Sequence, residues 1–315
     1  MTPDELLDSV RHLPDQVRDV AVAAADTEGL PDVDDVTEVI ILGIGAGRVA
    51  GDVIAAICEL RGVVPIVATG GRCPSWVSPT TLAIALSDGG DNTAPIAAVE
   101  EARAAGARLI AVAAPGAFAE TCAGWDVPVV PIDPDAGPAA GLGVSIVPVL
   151  VVLERLRFVT GMSGAISNTA EQLADRVAQL GETTAIDALA EALDGRLAIV
   201  TGAGAVGKHA ARRWVQELDR VGEVAAVRRR LPTGPADVAS GVRLAESTSN
   251  GAVLVLLRHD FEPDGLDQGV ALLPDHFDQI HSFSASGDGP LAQILDLVLL
   301  ADAVAAALLR RRSAA

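Results

Sequence analysis

The stretch Glu38–Asp52, EVIILGIGAGRVAGD, constrains the fold of this chain more than any other. Val39–Leu42 is an unbroken apolar run, the pattern of a strand buried on both faces of a parallel sheet. Gly43, Gly45 and Gly47 follow at once, and Val49, Val53, Ile57 and Leu60 then recur at helical spacing. Strand, glycine turn and helix start bring free backbone N–H groups and the positive end of a helix dipole to one point. Such a point suits an anion, in metabolism usually a phosphate.

The same alternation runs down the chain. Val64–Ala68, Leu82–Leu86, Leu109–Ala113 and Val127–Ile132 read as further strands, and Thr93–Ala105 as a helix. Leu142–Leu156 reads as an apolar helix interrupted by Pro148. Upstream, Thr2-Pro3-Asp4-Glu5 is a capping box whose helix should bend or stop near Pro14 and resume to about Ala25. Ser167–Leu193 looks helical and joins two halves. Arg196–Val200 then opens a second strand–glycine–helix unit. Val224–Val227, Ala252–Leu257 and Gln279–Phe283 are its further strands, and Pro290–Arg312 a closing helix with Arg310–Arg312 at the negative end of its dipole. Short connections between alternating strands and helices predict an α/β protein of doubly wound parallel sheets. Ligands of such sheets sit beyond the carboxyl ends of the strands, which places Gly43–Arg48 and Ser87–Thr93 on one rim.

Composition narrows the partners. With 315 residues the chain has room for two domains, and a net charge of −19 argues against nucleic acid or an anionic membrane surface. An aromatic share of 3 % leaves the core to Ala, Val, Leu and Ile. Cys58, Cys73 and Cys122 show no metal or disulfide spacing and read as buried thiols of a reducing compartment. No signal-peptide pattern opens the sequence, and Leu291–Leu309 carries Asp296 and Asp302, so the expectation is a cytoplasmic protein. The closing helix is apolar nearly all round and must be covered by the second domain or another subunit.

Two motifs compete for a cofactor. Gly202-Ala-Gly-Ala-Val-Gly207 matches a dinucleotide fingerprint, with Glu223 where a ribose-binding acid would stand. A close helix–sheet turn yields the same pattern, and Lys208-His209 lacks the Ser or Thr of a phosphate loop. The histidines are scattered and no metal spacing is present, so no cofactor and no metal are expected. Arg212-Arg213-Trp214 and Arg228-Arg229-Arg230 flank the second turn as a solvated face or an anion-binding edge.

From Val39 onward the chain resembles the bifunctional phosphoglucose/phosphomannose isomerases, built of two SIS (sugar isomerase) domains, and within them the divergent actinobacterial TobH-type branch. Gly43–Asp52 is similar to the family's GMGGSAIAGD, and Leu82–Thr93 to its strand ending in SYSGNT, with Asn92-Thr93 intact. Arg213-Trp214 resembles its RWK, and Pro290–Leu309 its closing helix, with Asp302 at the family's GDY. The resemblance implies two flavodoxin-like SIS domains of three αβα layers. These span residues 1–160, including a helical N-terminal extension, and 195–315, with connecting helices over 161–194. It also implies a homodimer and a phosphosugar ligand, for which the candidate residues here are Gly45, Gly47, Asn92, Thr93 and Arg213, with Asp88 at a family position and Arg48 new relative to the family.

The departures from the family concern its chemistry. Gly47, Asp88 and Gly90 stand where the family has serines, and Ala139 where it has an arginine. Asp88 would set a carboxylate beside a phosphate, with Arg48 as the compensating cation and, without ligand, as its pairing partner. Arg220 occupies the position of the glutamate base of NENAK, and Ala236 that of the HNE histidine. Arginine stays protonated and cannot take a proton from a sugar carbon. Glu217 and Glu223, three residues to either side, are the candidate replacements. The expected function is phosphosugar, or related carbohydrate-derivative, binding in a degenerate, non-catalytic site. The alternatives are an active aldose–ketose isomerase on glucose, mannose and fructose 6-phosphates, and a structural dimer without ligand.

Overall fold

The computed structural model describes residues 2–59, 62–87, 93–132, 141–182, 184–230, 251–271, 273, 277 and 279–314. The chain divides into two compact units, residues 12–170 and residues 171–315 joined by 1–11. The opening helix α1 (Pro3–Ala25) crosses the division as one helix. Its start is the capping box: the Glu5 N–H donates to Thr2 Oγ1 and the Thr2 N–H to Glu5 Oε2.

In the first unit five parallel strands take the order β2-β1-β3-β4-β5. They are β1 (Glu38–Gly43), β2 (Ile66–Thr69), β3 (Thr81–Ser87), β4 (Arg108–Ala113) and β5 (Val129–Pro131). The helices are α2 (Ala46–Cys58), α3 (Ile96–Ala104), α4 (Ala117–Ala123) and α5 (Gly141–Arg155). β3 is buried along its whole length, as its run of apolar residues requires of a central parallel strand. α2 lies on one face, where Gly51 approaches Ile41 and Ala68 so closely that an added Cβ would fall 3.1 Å from each. The other face is built from Ile40, Leu42, Ala83 and Ala85 against Ala98, Val99, Ala102, Phe118 and Cys122 of α3 and α4. Three αβα layers result.

α6 (Met162–Gln179) crosses into the second unit, which continues with α7 (Thr184–Ala192). Its strands β6 (Leu197–Gly202), β7 (Ala226–Arg230), β8 (Ala252–Arg258) and β9 (Ile280–Ser284) are parallel in the order β7-β6-β8-β9. α8 (Gly204–Arg220) and the closing helix α10 (Gly289–Ala314) pack together, with α9 (Leu266–Ala271) on the opposite face near Ile199, Leu254 and Leu256. Trp214 of α8 is fully buried; its ring centroid lies 5.0 Å from that of Phe283, and Nε1 donates to the Leu297 carbonyl at 2.7 Å.

Several expectations change in detail. Pro14 and Pro148 interrupt neither helix in extent: α1 and α5 run through them. Val144, Ile146, Val147, Val149 and Leu150 are all buried, and that packing offsets the one hydrogen bond a proline removes. The connecting segment is the two α-helices α6 and α7, and the short helices α4 and α9 join the expected set. The closing helix is the one described helix long and apolar enough to span a membrane, yet its apolar window is wholly buried within the folded chain. Its composition therefore needs no further subunit to cover it.

Candidate functional site

In a sheet of order 2-1-3-4-5 the chain reverses direction between β1 and β3, and the crevice beyond their carboxyl ends is where ligands bind. Gly43 ends β1 in register with Leu86 of β3, so the first glycine turn sits at that point. Gly43 must be glycine. A Cβ there would lie 2.5 Å from the Gly47 carbonyl carbon and 2.9 Å from the Arg48 nitrogen. Gly45 takes φ +62°, a left-handed conformation that glycine adopts without strain. Gly47 brings α2 against β3: its missing Cβ would be 3.2 Å from the Leu86 carbonyl oxygen. Among the described residues the N–H groups of Gly45, Ala46 and Arg48 meet no acceptor, and Gly45 caps the helix with no side chain. Unpaired donors thus gather at the positive end of the α2 dipole.

Arg48 lies in the first turn of α2, and its guanidinium reaches the rim beside Gly70. It is paired with Asp52 one turn on: Nε and Nη2 both stand 3.0 Å from Oδ1. Asp52 is thus a residue of the rim that the sequence reading left out, although its i+4 spacing from Arg48 was visible. Among the described residues the Arg48 partner is Asp52; the expected pairing with Asp88 falls outside them. Asp88 and Asn92, like Gly90, Ala139 and Ala236, lie outside the described residues. Thr93 is exposed, and its carbonyl accepts the Ile96 N–H at 3.0 Å as the chain turns into α3.

The second glycine turn has the same backbone design and a different surrounding. A Cβ on Gly202 would lie 2.7 Å from the Gly207 carbonyl oxygen, and Gly204 takes φ +59°. Here the loop after β8 folds over the turn. The Phe261 carbonyl oxygen stands 3.1 Å from the Cβ position of Gly204. Buried His259 accepts the Phe261 N–H at Nδ1 (3.1 Å), which leaves the proton on Nε2 to be donated to the Ala203 carbonyl at 2.8 Å. The Gly207 N–H, 3.1 Å from Nε2, then serves the Ala203 carbonyl at 3.0 Å. Arg258 and Asp260 fix the loop further, through Glu262 (2.8 Å) and Gln293 (2.6 Å). His259 was read from the sequence as one scattered histidine. Nothing in its neighbourhood announces that it closes a turn more than fifty residues upstream.

The remaining candidates lie along and beyond α8. Arg213 is 6 % exposed and its Nη1 pairs with Glu217 Oε1 at 2.9 Å. Glu217 has no exposed surface and also receives Arg220 Nη2 at 3.0 Å. Asp302 of α10, equally buried, lies 3.6 Å from Arg213 Nη2. Thirteen residues of helix separate Glu217 from Gly204, about 20 Å along the axis. Glu223 follows the end of α8 at φ +47°, paired with Arg312 at 2.5 Å, on the rim opposite the glycine turn. Neither acid is brought to the turn. Among the described residues no group of three His, Cys, Asp or Glu side chains could hold a metal ion.

Residues 182–312 match the bacterial phospho-glucose isomerase C-terminal SIS domain. A bifunctional phosphoglucose/phosphomannose isomerase from Caldicellulosiruptor bescii is 25 % identical over 171 residues, 54 % of this chain and 50 % of that protein. The match therefore spans about half the length of that relative. Among solved structures, the C-terminal domain of glucosamine-fructose-6-phosphate aminotransferase from Francisella tularensis superposes with a TM-score of 0.73. Its identity is 13 %, over 99 % of both chains. Tagatose-6-phosphate ketose/aldose isomerase from Escherichia coli gives 0.68 at 14 % identity, over 97 % of this chain and 92 % of that one. These structures share the fold. The chain thus shares the fold of these structures, is similar over residues 182–312 to the bacterial phospho-glucose isomerase C-terminal SIS domain, and is similar over about half its length to a bifunctional phosphoglucose/phosphomannose isomerase.

Proposed function

We propose that the chain binds a phosphosugar or related carbohydrate derivative at the first glycine turn and does not isomerise it. The observation that carries this reading is the set of N–H donors of Gly45, Ala46 and Arg48 at the β1–β3 reversal, unpaired among the described residues, with the Arg48 guanidinium beside them. Together they offer hydrogen bonds and positive potential to a phosphate. Thr93, Asn92 and Asp88 belong to the same rim by sequence. Arg213, buried in its own ion pairs, contributes through the packing of α8 instead.

Absence of turnover follows from the acids. Isomerisation needs a base within hydrogen-bond reach of a sugar carbon. Glu217 is buried between two arginines and Glu223 is held by Arg312 at the far rim. The same reading places the chain in the divergent branch of the family, as a cytoplasmic homodimer without metal or nicotinamide cofactor. Thermal-shift titration with glucose, fructose and mannose 6-phosphates should raise the melting temperature by mass action. A coupled isomerase assay on the same sample should show no turnover. The relative from Caldicellulosiruptor bescii favours the second reading, an active isomerase. Turnover lost on Glu217→Gln or Glu223→Gln would establish it.

A further inference from the structure

The seam between α8 and α10 buries two carboxyl groups around one buried guanidinium. Glu217 and Asp302 have no exposed surface, and Arg213 is nearly as deep. Arg213 reaches both acids, at 2.9 Å from Glu217 and 3.6 Å from Asp302, while Arg220 adds a 3.0 Å contact to Glu217 from a largely exposed position. Glu217 Oε1 takes both close contacts. Its Oε2 and both oxygens of Asp302 have no hydrogen-bond partner among the described residues. A buried, ionised carboxylate without a hydrogen bond is costly.

We propose that Asp302 is a neutral acid in the folded protein, so that the α8–α10 seam is a proton-dependent lock that weakens as pH rises. The close ion pair is then Arg213 with Glu217, and the long 3.6 Å contact to Asp302 is that of a guanidinium beside an uncharged carboxyl. The unfilled Glu217 Oε2 supplies an acceptor in the same cluster. Burial is the main influence on Asp302, holding its carboxyl well above the usual range; Arg213 and Arg220 oppose this, and Glu217 reinforces it. Those three are the charged groups that α8 turns toward Asp302, and α7, which also packs on α10, buries only Ile186, Leu189 and Ala190.

The sign follows from linkage. At low pH Asp302 is protonated in folded and unfolded chains alike and costs nothing. As pH rises past the unfolded value, about 3.9, the unfolded chain gains the charge first and stability falls, until the folded value is passed. Thermal unfolding of the full chain and of Asp302→Asn, each from about pH 5 to about pH 9, tests this. Asparagine keeps the shape and cannot ionise. The melting temperature of the variant should gain on that of the wild type by several degrees across the range. Parallel profiles, or a variant that loses ground as pH rises, would overturn the proposal. Infrared spectra of the wild-type chain carrying carbonyl-labelled aspartate do not depend on the variant folding. A protonated-carboxyl band at neutral pH supports the lock, and carboxylate bands alone refute it.

Discussion

Gly43→Ala is the sharpest test of the first glycine turn. The added Cβ would lie 2.5 and 2.6 Å from the carbonyl carbon and oxygen of Gly47 and 2.9 Å from the Arg48 nitrogen. Carbon contacts are comfortable only at about 3.5–4.0 Å, so roughly 1 Å must be found. The opposing atoms are backbone, fixed at the start of α2, and cannot swing aside as a side chain would. Overpacking of this kind costs about 1–3 kcal/mol, and the rigid neighbours put this site at the upper end. At about 2–4 °C per kcal/mol for a unit of this size, the melting temperature should fall by roughly 6–12 °C. Gly70→Ala is the matched control, since its Cβ would meet only Arg48 Nη1 at 3.6 Å, an ordinary contact. Circular-dichroism melts of the two variants decide. If Gly43→Ala melts with Gly70→Ala, the close approach of β1 to α2 is not what holds the turn, and the donor geometry argued from it falls as well.

The rim and the thiols supply two further expectations. Arg48→Ala should weaken phosphosugar binding at least about tenfold, since a charge-assisted contact contributes about 1.5–3 kcal/mol. Asp52→Asn, which releases Arg48 from its 3.0 Å pair, should tighten it; isothermal titration reads both, and an unchanged affinity in each would remove Arg48 from the site. Among the thiols, Cys122 is buried and its pKa is pushed up to about 11 by that burial, whereas Cys73 is only partly buried. A thiol reagent at mildly alkaline pH should therefore label Cys73 first in the native protein and reach Cys122 only on unfolding. Mass spectrometry of the labelled peptides checks the order.

The parallel sheets were legible because a buried strand leaves a compact signal. Val39–Leu42, Leu82–Leu86 and Ala252–Leu257 each fall inside an observed strand. The glycine turns were legible for a similar reason: contacts of 2.5 and 2.7 Å across them admit no side chain. Helix interiors were harder. Pro14 and Pro148 signal breaks locally, and tertiary burial of the flanking residues overrides that signal. Candidate acids were hardest of all. Glu217 and Glu223 are six residues apart in sequence, yet one is enclosed by arginines within a seam and the other faces solvent on the opposite rim. Helical spacing places a side chain on a face; it does not say which partners wait there.

The two halves repeat one device, and their difference lies in what the next strand delivers to it. Beyond β8 the chain supplies His259, whose ring bonds bridge the Ala203 carbonyl and the Phe261 N–H, and the Phe261 carbonyl then covers Gly204. That carbonyl lies beside the start of α8, 3.1 Å from where a Cβ on Gly204 would stand. At the first turn nothing among the described residues stands within 4 Å of the Cβ position of Gly45, and the Arg48 cation is compensated by a carboxylate one helical turn away. The N–H groups of Gly204, Ala205 and Val206 likewise meet no acceptor among the described residues, so what separates the two turns is the loop that lies over the second. Donors at a strand reversal that no described loop covers are what a ligand can complete, which is why the functional reading rests on Gly43–Arg48 although the family match lies in residues 182–312.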